Sequence, residues 1–149
     1  MALEEGSSLT IIVDTNVIVA ALIQAGIVRE LVLDHPGVFL TPEACIGEVW
    51  ENRQDWNRKK VPEASVKEAL DFLTEEFVTV VPRSVYRGKE EEAATLIRDP
   101  DDVPVVALAL AVENEGIWTF NTKDFSGPLL TSRCRVLTTS AVKSLLMEL

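Results

Sequence analysis

Three carboxylates in this sequence stand out by their context, and the first of them is Asp14, at the predicted junction of a strand and a helix. It follows Ile11–Val13, three branched apolar residues that predict a short strand buried on both faces. The residues after Asp14 have the pattern of a helix, which Thr15 or Asn16 is suited to cap. Ligands bind at the carboxyl ends of parallel strands. Asp14 is therefore a candidate site residue, and its alternative role is a helix cap with no chemistry.

The second carboxylate is Glu48, in a helix that the sequence predicts after Thr41, with Thr41 as its cap. Ala44 and Cys45 lie one turn before Glu48, so this acid is expected near the edge of the buried side of the helix. The alternative is an ordinary exposed acid, because most acidic residues on helices face water.

The third carboxylate, Asp102, directly precedes an apolar segment, Val103–Glu115, that predicts a buried helix. An N-cap is expected at this position, so capping is one explanation for Asp102. Asp99 and Asp101 crowd around it, and like charges repel each other. A bound cation would relieve that repulsion, which makes Asp102 a candidate metal ligand.

Carboxylates without histidine or cysteine neighbours suit a hard, oxygen-preferring metal ion, and Mg²⁺ or Mn²⁺ fits best. Such ions activate water and stabilise the charge that develops during phosphodiester cleavage. They also explain how a chain with 14 basic and 24 acidic residues, a net charge of −10, could act on RNA, since the metal inverts the local charge. The RNA backbone would be held by basic residues interleaved with Trp50 and Trp56, namely Arg53, Arg58, Lys59 and Lys60.

The composition limits the class of protein further. A chain of 149 residues, 47% of them apolar, predicts one soluble domain over residues 1–149, with 1–8 as a disordered tail. One histidine, His35, stands in an apparent turn, which argues against triad chemistry and multi-histidine zinc sites. Cys45 and Cys134 lack metal-type spacing and are expected to be reduced thiols. No signal peptide or membrane-spanning run is evident, so we expect a cytoplasmic protein.

The elements that must position these acids alternate between strand and helix, which predicts an α/β domain with a mainly parallel sheet. The predicted strands are Ile11–Val13, Val38–Thr41, Val78–Val81, Ile117–Phe120 and Arg135–Thr138.

Four motifs in their order make the chain resemble the PIN-domain family. They are Val-Asp-Thr-Asn-Val at 13–17, a helix glutamate at 48, Asp-Pro-Asp-Asp at 99–102 before Val-Ala-Leu-Ala-Leu, and Ile-Trp-Thr-x-Asn-x-Lys-Asp-Phe at 117–125. The resemblance spans residues 9–149. It implies a three-layer α/β/α sandwich with about five strands, metal-dependent ribonuclease activity, and often the role of a toxin paired with an antitoxin. It also implies that Asp14, Glu48 and Asp102 are the main acids of the metal site, with Thr15 and Asn16 as supporting polar residues.

The chain departs from the family pattern at the fourth acid. Asn121 stands where an Asp is expected, and Asp124 matches a later Asp of the motif. An Asn can bind a metal through its carbonyl oxygen but adds no charge, so a second metal should bind weakly. The chain is therefore expected to be a Mg²⁺- or Mn²⁺-dependent endoribonuclease or, alternatively, a catalytically weak or inactive PIN-like module that binds RNA or protein. A phosphatase that uses Asp14 as nucleophile is disfavoured, because Asn16 replaces its second Asp. Apolar surface on the early helices, together with the resemblance, suggests a homodimer.

Overall fold

A five-stranded sheet forms the centre of the computed structural model, which describes residues 9–52 and 62–148. All pairings in the sheet are parallel, and the strand order is β3-β2-β1-β4-β5. The strands are β1 (Ile11–Val13), β2 (Phe39–Pro42), β3 (Val78–Val81), β4 (Ile117–Trp118) and β5 (Val136–Leu137). The α/β fold with a central parallel sheet, expected from the sequence, is confirmed.

Helices connect the strands along the chain. Within residues 9–52 and 62–148 the α-helices are α1 (Thr15–Ile23), α2 (Ile27–Asp34), α3 (Glu43–Glu51), α4 (Glu63–Glu76), α5 (Arg83–Tyr86), α6 (Glu90–Ala94), α7 (Val103–Ala111), α8 (Pro128–Thr131) and α9 (Thr139–Met147). Short 3₁₀ turns at Arg87–Lys89 and Pro100–Asp102 precede α6 and α7. Each parallel connection needs such a crossover, because a tight hairpin can join only antiparallel strands.

Two apolar clusters cover the two faces of the sheet. Alternate residues of β1 divide between them, with Ile11 and Val13 on one face and Ile12 on the other. Buried residues of α1, α2, α4 and α9 pack on the first face, and those of α5 to α8 pack on the second. Helix α7 has five consecutive buried residues, which agrees with the apolar run seen in the sequence. Covering both faces explains why the strands are apolar throughout.

The order of the strands creates a switch point beside β1. After β1 the chain continues to β2 and β3 on one side, then crosses back to β4 and β5 on the other side. Strand β1 pairs with both β2 and β4, so the direction of the connections reverses there. In open parallel sheets, the crevice at such a point, outside the carboxyl ends of the strands, is the usual place for a ligand.

Four local predictions were wrong in their details. Neither Thr15 nor Asn16 caps α1, because Asp14 is its N-cap. Thr41 does not cap α3; its hydroxyl donates to the carbonyl of Val13 at 3.0 Å and thereby joins β2 to β1. Helix α7 ends at Ala111 rather than Glu115, because the side-chain amide of Asn114 donates to the carbonyls of Ala109 and Val112 and closes the helix end. Strands β4 and β5 are also shorter than predicted, at two residues each.

Among the described residues, no single helix is long and apolar enough to cross a membrane. Helices α1 and α2 reach that length and hydropathy only as a pair, and they are bent by 99° relative to each other. The two cysteines, Cys45 and Cys134, are both buried and form no disulfide.

Candidate active site

Asp14 lies at the carboxyl end of β1 and is almost fully buried. One carboxylate oxygen, Oδ1, accepts a hydrogen bond from the backbone N–H of Thr15 at 2.8 Å, so Asp14 itself is the N-cap of α1. The other oxygen, Oδ2, accepts from the hydroxyl of Thr119 at 2.8 Å. Burial raises the pKa of Asp14, and these two hydrogen bonds partly oppose the rise. Capping is thus part of the role of Asp14, but it occupies only one of the two oxygens.

Glu48 lies on α3 beside the buried residues Cys45 and Val49, and its side chain is half-buried, as its helical position predicts. The hydroxyl of Thr15 donates to its Oε1 at 2.6 Å, which links α3 to the start of α1. Burial raises the pKa of Glu48; the hydrogen bond from Thr15 lowers it, and the charge of Asp14 raises it again. Glu48 and Asp14 are therefore close enough to repel each other.

Asp102 follows a different pattern, because it makes no capping hydrogen bond to α7. Its Oδ2 is buried and has no hydrogen-bond partner among the described residues. Burial, followed by the charges of Asp14, Asp99, Asp124 and Glu48, raises the pKa of Asp102 to about 7. A buried polar atom without a partner is unusual in proteins and calls for an explanation such as a missing ion. The purely structural alternative, capping, does not explain this side chain.

Asn121 lies just beyond β4 and lines the same pocket. Its side-chain amide donates to Oδ2 of Asp124 at 2.8 Å, which leaves its carbonyl oxygen available as a neutral ligand. Asp124 is exposed and lines a neighbouring cleft, and it acts on the pocket through Asn121 and through its charge. Asn16 supports the same loop, since its Oδ1 accepts from the N–H of Phe120 at 3.3 Å.

These residues form one pocket, which we call the acidic pocket, of about 350 Å³ at the switch point of the sheet. Its lining consists of Asp14, Thr15, Asn16, Val19, Glu48, Asn52, Asp99, Asp101, Asp102 and Asn121. The fold therefore brings together the three acids that the sequence singled out. Asp14 comes from the end of β1, Glu48 from the middle of α3, and Asp102 from the end of the 3₁₀ turn before α7.

The acidic pocket fits a hard cation by charge and by donor type. Its side-chain donors are oxygens, its acids repel one another, and Oδ2 of Asp102 lacks a partner. Within the described ranges, however, no three His, Cys, Asp or Glu side chains are already arranged as a formed metal site. The acids therefore surround an open pocket and would have to move closer together around an ion.

Thr119 is the site residue that sequence reasoning did not single out. It is 1% exposed, and its hydroxyl both donates to Asp14 and accepts from the N–H of Asn121 at 3.0 Å and from the amide of Asn16 at 3.4 Å. It thus connects β1 with the loop after β4. The signal in the sequence was a polar residue that directly follows a buried strand, as with Asp14.

The proposed RNA-binding group lies outside the described residues, which omit 53–61. The role of Arg53, Arg58, Lys59 and Lys60, and that of Trp56, stays a prediction. Trp50 is half-buried and packs against the core cluster that contains α1 and α4, which agrees with a structural role.

Comparison with known proteins supports the fold and identifies the family. The PIN domain family matches residues 12–142. A toxin-antitoxin complex from Klebsiella pneumoniae has a similar structure, with a TM-score of 0.61, 16% identity, and coverage of 87% of this chain and 98% of that one. VapBC2 from Rickettsia felis, bound to a DNA fragment from its promoter, has a TM-score of 0.58 at 17% identity with the same coverage of both chains. A comparison with curated proteins finds no match. Since the family match covers most of the chain, and the motifs and the sheet agree with it, this protein belongs to the PIN-domain family.

Proposed function

We propose that this protein is a Mg²⁺- or Mn²⁺-dependent endoribonuclease that hydrolyses RNA phosphodiester bonds. The observation that carries the proposal is the convergence of Asp14, Glu48 and Asp102 on one pocket at the switch point, where Oδ2 of Asp102 is buried without a partner. Membership of the PIN-domain family, whose members are generally nucleases, supports it.

In this proposal Asp14, Glu48 and Asp102 would hold the metal ion, and the carbonyl oxygen of Asn121 would be a neutral fourth ligand. A bound divalent cation lowers the pKa of water and neutralises charge on a phosphate. The chain itself provides the positioning: Thr119 and the N–H of Thr15 orient Asp14, and the hydroxyl of Thr15 orients Glu48. One of the carboxylates would accept the proton of the attacking water as the water oxygen bonds to phosphorus; the bond from phosphorus to the leaving ribose oxygen would break, and that oxygen would take up a proton from solvent.

The pKa values support this assignment of roles. The pKa values of all three acids are raised, first because each is removed from water; for Glu48 and Asp102 the negative charges of neighbouring acids add to the rise. Carboxylates that are perturbed in this way and share one pocket are candidates for a functional site. A cation would remove the repulsion between them and would stabilise the folded chain, so metal binding and folding should be coupled.

A second candidate is a PIN-like module that binds RNA or protein without cleaving. Two observations favour it: Asn121 replaces the fourth acid, and no formed metal cluster is present among the described residues. Under this hypothesis the acids contribute to binding or to the fold. RNA is then bound without being cleaved, whether or not divalent metal is present.

A cleavage assay distinguishes the two candidates. The purified protein is incubated with single-stranded and with structured RNA, in the presence of Mn²⁺ and in the presence of EDTA. We expect cleavage only with metal, and we expect Asp14→Asn to abolish it. Asp34→Asn is the matched control, because Asp34 is an exposed acid at the end of α2 and does not line the acidic pocket. Circular dichroism shows whether the fold is retained. Equal cleavage by the Asp14→Asn variant would contradict the proposed site.

We further propose that the protein is the toxin of a toxin–antitoxin pair, acts in the cytoplasm, and forms a homodimer. The similarity to two toxin–antitoxin structures supports an antitoxin partner. One exposed apolar residue on the early helices, Ile27 at the start of α2, is 45% exposed and supports self-association. Light scattering of the purified chain tests the dimer, and co-expression with a small protein encoded beside it tests the partner.

A further inference from the structure

Asn121 and Asp124 stand at the two ends of one tight turn in the loop after β4. The N–H of Asp124 donates to the backbone carbonyl of Asn121 at 3.2 Å, and the side-chain amide of Asn121 donates to Oδ2 of Asp124 at 2.8 Å. Backbone and side chains therefore join the same two residues, which we call the Asn121–Asp124 pair. The turn sets their relative position before any ligand binds, so binding does not have to bring them together.

The turn is anchored at both of its ends. The N–H of Asn121 donates to the hydroxyl of Thr119 at 3.0 Å, and the same hydroxyl donates to Oδ2 of Asp14. Phe125, directly after Asp124, is fully buried in the apolar cluster on the second face of the sheet. One end of the Asn121–Asp124 pair thus belongs to the hydrogen-bond network of Asp14, and the other end is held against the hydrophobic core.

The carboxylate of Asp124 decides which way the carboxamide of Asn121 is turned. An ionised carboxylate only accepts hydrogen bonds, whereas a carboxamide donates through its nitrogen and accepts through its oxygen. Asn121 must therefore turn its nitrogen towards Asp124, and its carbonyl oxygen then points away from Asp124. Asn121 lines the acidic pocket while Asp124 lines the neighbouring cleft, so this orientation suits a carbonyl ligand for a cation in the pocket.

The charge of Asp124 reaches the acidic pocket although its side chain is exposed. After burial and the charges of Asp14 and Asp99, the charge of Asp124 contributes to raising the pKa of Asp102. Hydrogen bonds in a chain polarise one another, so an amide that donates to a carboxylate carries more negative charge on its carbonyl oxygen. Carboxylates that accept the N–H of a metal-binding histidine act in the same way, since they orient the ligand and raise its basicity.

We propose that Asp124 is a positioning residue of the metal site, and that the Asn121–Asp124 pair together takes the place of a fourth carboxylate. Asp124 holds the carbonyl oxygen of Asn121 towards the ion and supplies the negative charge from behind this neutral ligand. The inference rests on the proposed metal-dependent function and deepens it. It implies that Asn121 is a good ligand only while Asp124 is its hydrogen-bond partner.

The test is calorimetric titration of Mn²⁺ into the metal-free protein, with no RNA present. Removing the hydrogen-bond partner of a metal ligand typically weakens metal binding by about 10- to 100-fold. Asn121 is a neutral ligand, so we expect Asp124→Ala to lie at the lower end, at about tenfold weaker binding. In the Asn121→Ala background the same change should weaken binding by no more than about twofold, because the ligand through which Asp124 acts is then absent.

The matched control is Asp101→Ala, which removes another exposed carboxylate. Asp101 lines the acidic pocket, but the amide of Asn121 bonds to Asp124 instead. Because the charge of Asp101 acts through space, its removal should have the same effect on Mn²⁺ affinity in the wild-type and Asn121→Ala backgrounds, within about twofold.

An exchange variant tests whether the pair acts as a unit. Asn121→Asp combined with Asp124→Asn keeps the total charge and allows the same hydrogen bond in the opposite direction. We expect this variant to bind Mn²⁺ at least as tightly as the wild type does. NMR in EDTA checks the orientation without metal: one side-chain amide proton of Asn121 should exchange slowly with water in the wild type, and this protection should be lost in Asp124→Ala.

Three outcomes would overturn the proposal. Unchanged Mn²⁺ affinity in Asp124→Ala would mean that the hydrogen bond only stabilises the turn. An equal loss in the wild-type and Asn121→Ala backgrounds would mean that Asp124 acts by its charge alone, and an exchange variant that binds as weakly as Asp124→Ala would show that the pair is not a unit. If Mn²⁺ binding follows the expected pattern but RNA is not cleaved, the nuclease function fails and the role of Asp124 stands. Cleavage without coupling between residues 121 and 124 means the reverse.

Discussion

Replacing Asp102 by Asn should stabilise the protein in the absence of metal, and more so at high pH. Asp102 makes no capping hydrogen bond and its Oδ2 has no partner among the described residues, so the substitution removes no interaction of that oxygen. It removes a negative charge that is disfavoured first by burial and then by the charges of nearby acids, chiefly Asp14 and Asp99. The Asn amide can instead donate a hydrogen bond to a neighbouring carboxylate.

The size of the effect follows from the pKa of Asp102, which is about 7 in the folded chain against an ordinary value of 3.8. Between these values the folded chain binds more protons than the unfolded chain. Its free energy of unfolding therefore falls as the pH rises through this window, and the loss is complete above pH 7. Because Asp102 is half-buried, solvent screens the repulsion, and we expect about 1 kcal/mol between pH 5 and pH 8. For a chain of this length that corresponds to about 3 °C in Tm.

The assay is thermal unfolding of the wild type and the Asp102→Asn variant in EDTA, at about pH 5 and pH 8. The advantage of the variant in Tm should be larger at the higher pH by about 3 °C. Asp34→Asn, which changes an exposed acid away from the pocket, should show no such dependence on pH.

A second experiment adds Mn²⁺ at neutral pH. At a hundredfold excess over Kd, binding stabilises the wild type by about 2.7 kcal/mol, roughly 5–10 °C, and the variant should lose most of this shift.

Two results would refute this reasoning. If the difference in Tm between variant and wild type is the same at both pH values, neither burial nor the other acids disfavour the charged form of Asp102 in the folded chain. If the variant keeps the full shift with Mn²⁺, Asp102 does not hold the metal, and the site would have to be built on Asp14 and Glu48 alone.

Two further predictions concern the residues around Asp14. Thr119→Val removes the hydroxyl that orients Asp14, so we expect a loss of about 1–3 kcal/mol in urea unfolding together with weaker Mn²⁺ binding. Thr119→Ser keeps the hydroxyl and should restore both; an equal loss in the Ser variant would assign the effect to packing of the methyl group. Asn121→Asp adds a charged ligand and should tighten Mn²⁺ binding in calorimetric titration, while its new repulsion with Asp124 lowers the Tm in EDTA. An unchanged affinity for Mn²⁺ would place residue 121 away from the metal.

The sequence by itself was sufficient for the class of fold and for the three acids of the candidate site. Branched apolar runs such as Ile11–Val13 and Val78–Val81 are local signals of buried strands, and helices with one apolar face lie between them. Asp14 and Asp102 stand out because a charged residue beside an apolar run is costly unless something compensates for it. These inferences depend only on neighbours along the chain, which is why they needed no coordinates.

Tertiary structure decided which of the alternative roles applies. From the sequence, Asp14 and Asp102 were both candidate helix caps, and only the structure shows that Asp14 caps α1 with one oxygen while Asp102 makes no capping bond. The same holds for Thr41, whose hydroxyl bonds to β1 instead of capping α3. A short polar side chain can satisfy several nearby groups about equally well, so distant partners determine which one it chooses.

The assembly of the site also depends on contacts that are far apart in the chain. Thr119 donates to Asp14 across 105 positions, and Thr15 donates to Glu48 across 33 positions. The order of the strands decides this proximity, because it places the ends of β1 and β4 side by side at the switch point. The pKa of Asp102 has the same origin, since burial and the charges of residues from three other segments raise it. Local sequence patterns show which residues can do chemistry, and the long-range packing of the sheet determines which of them act together.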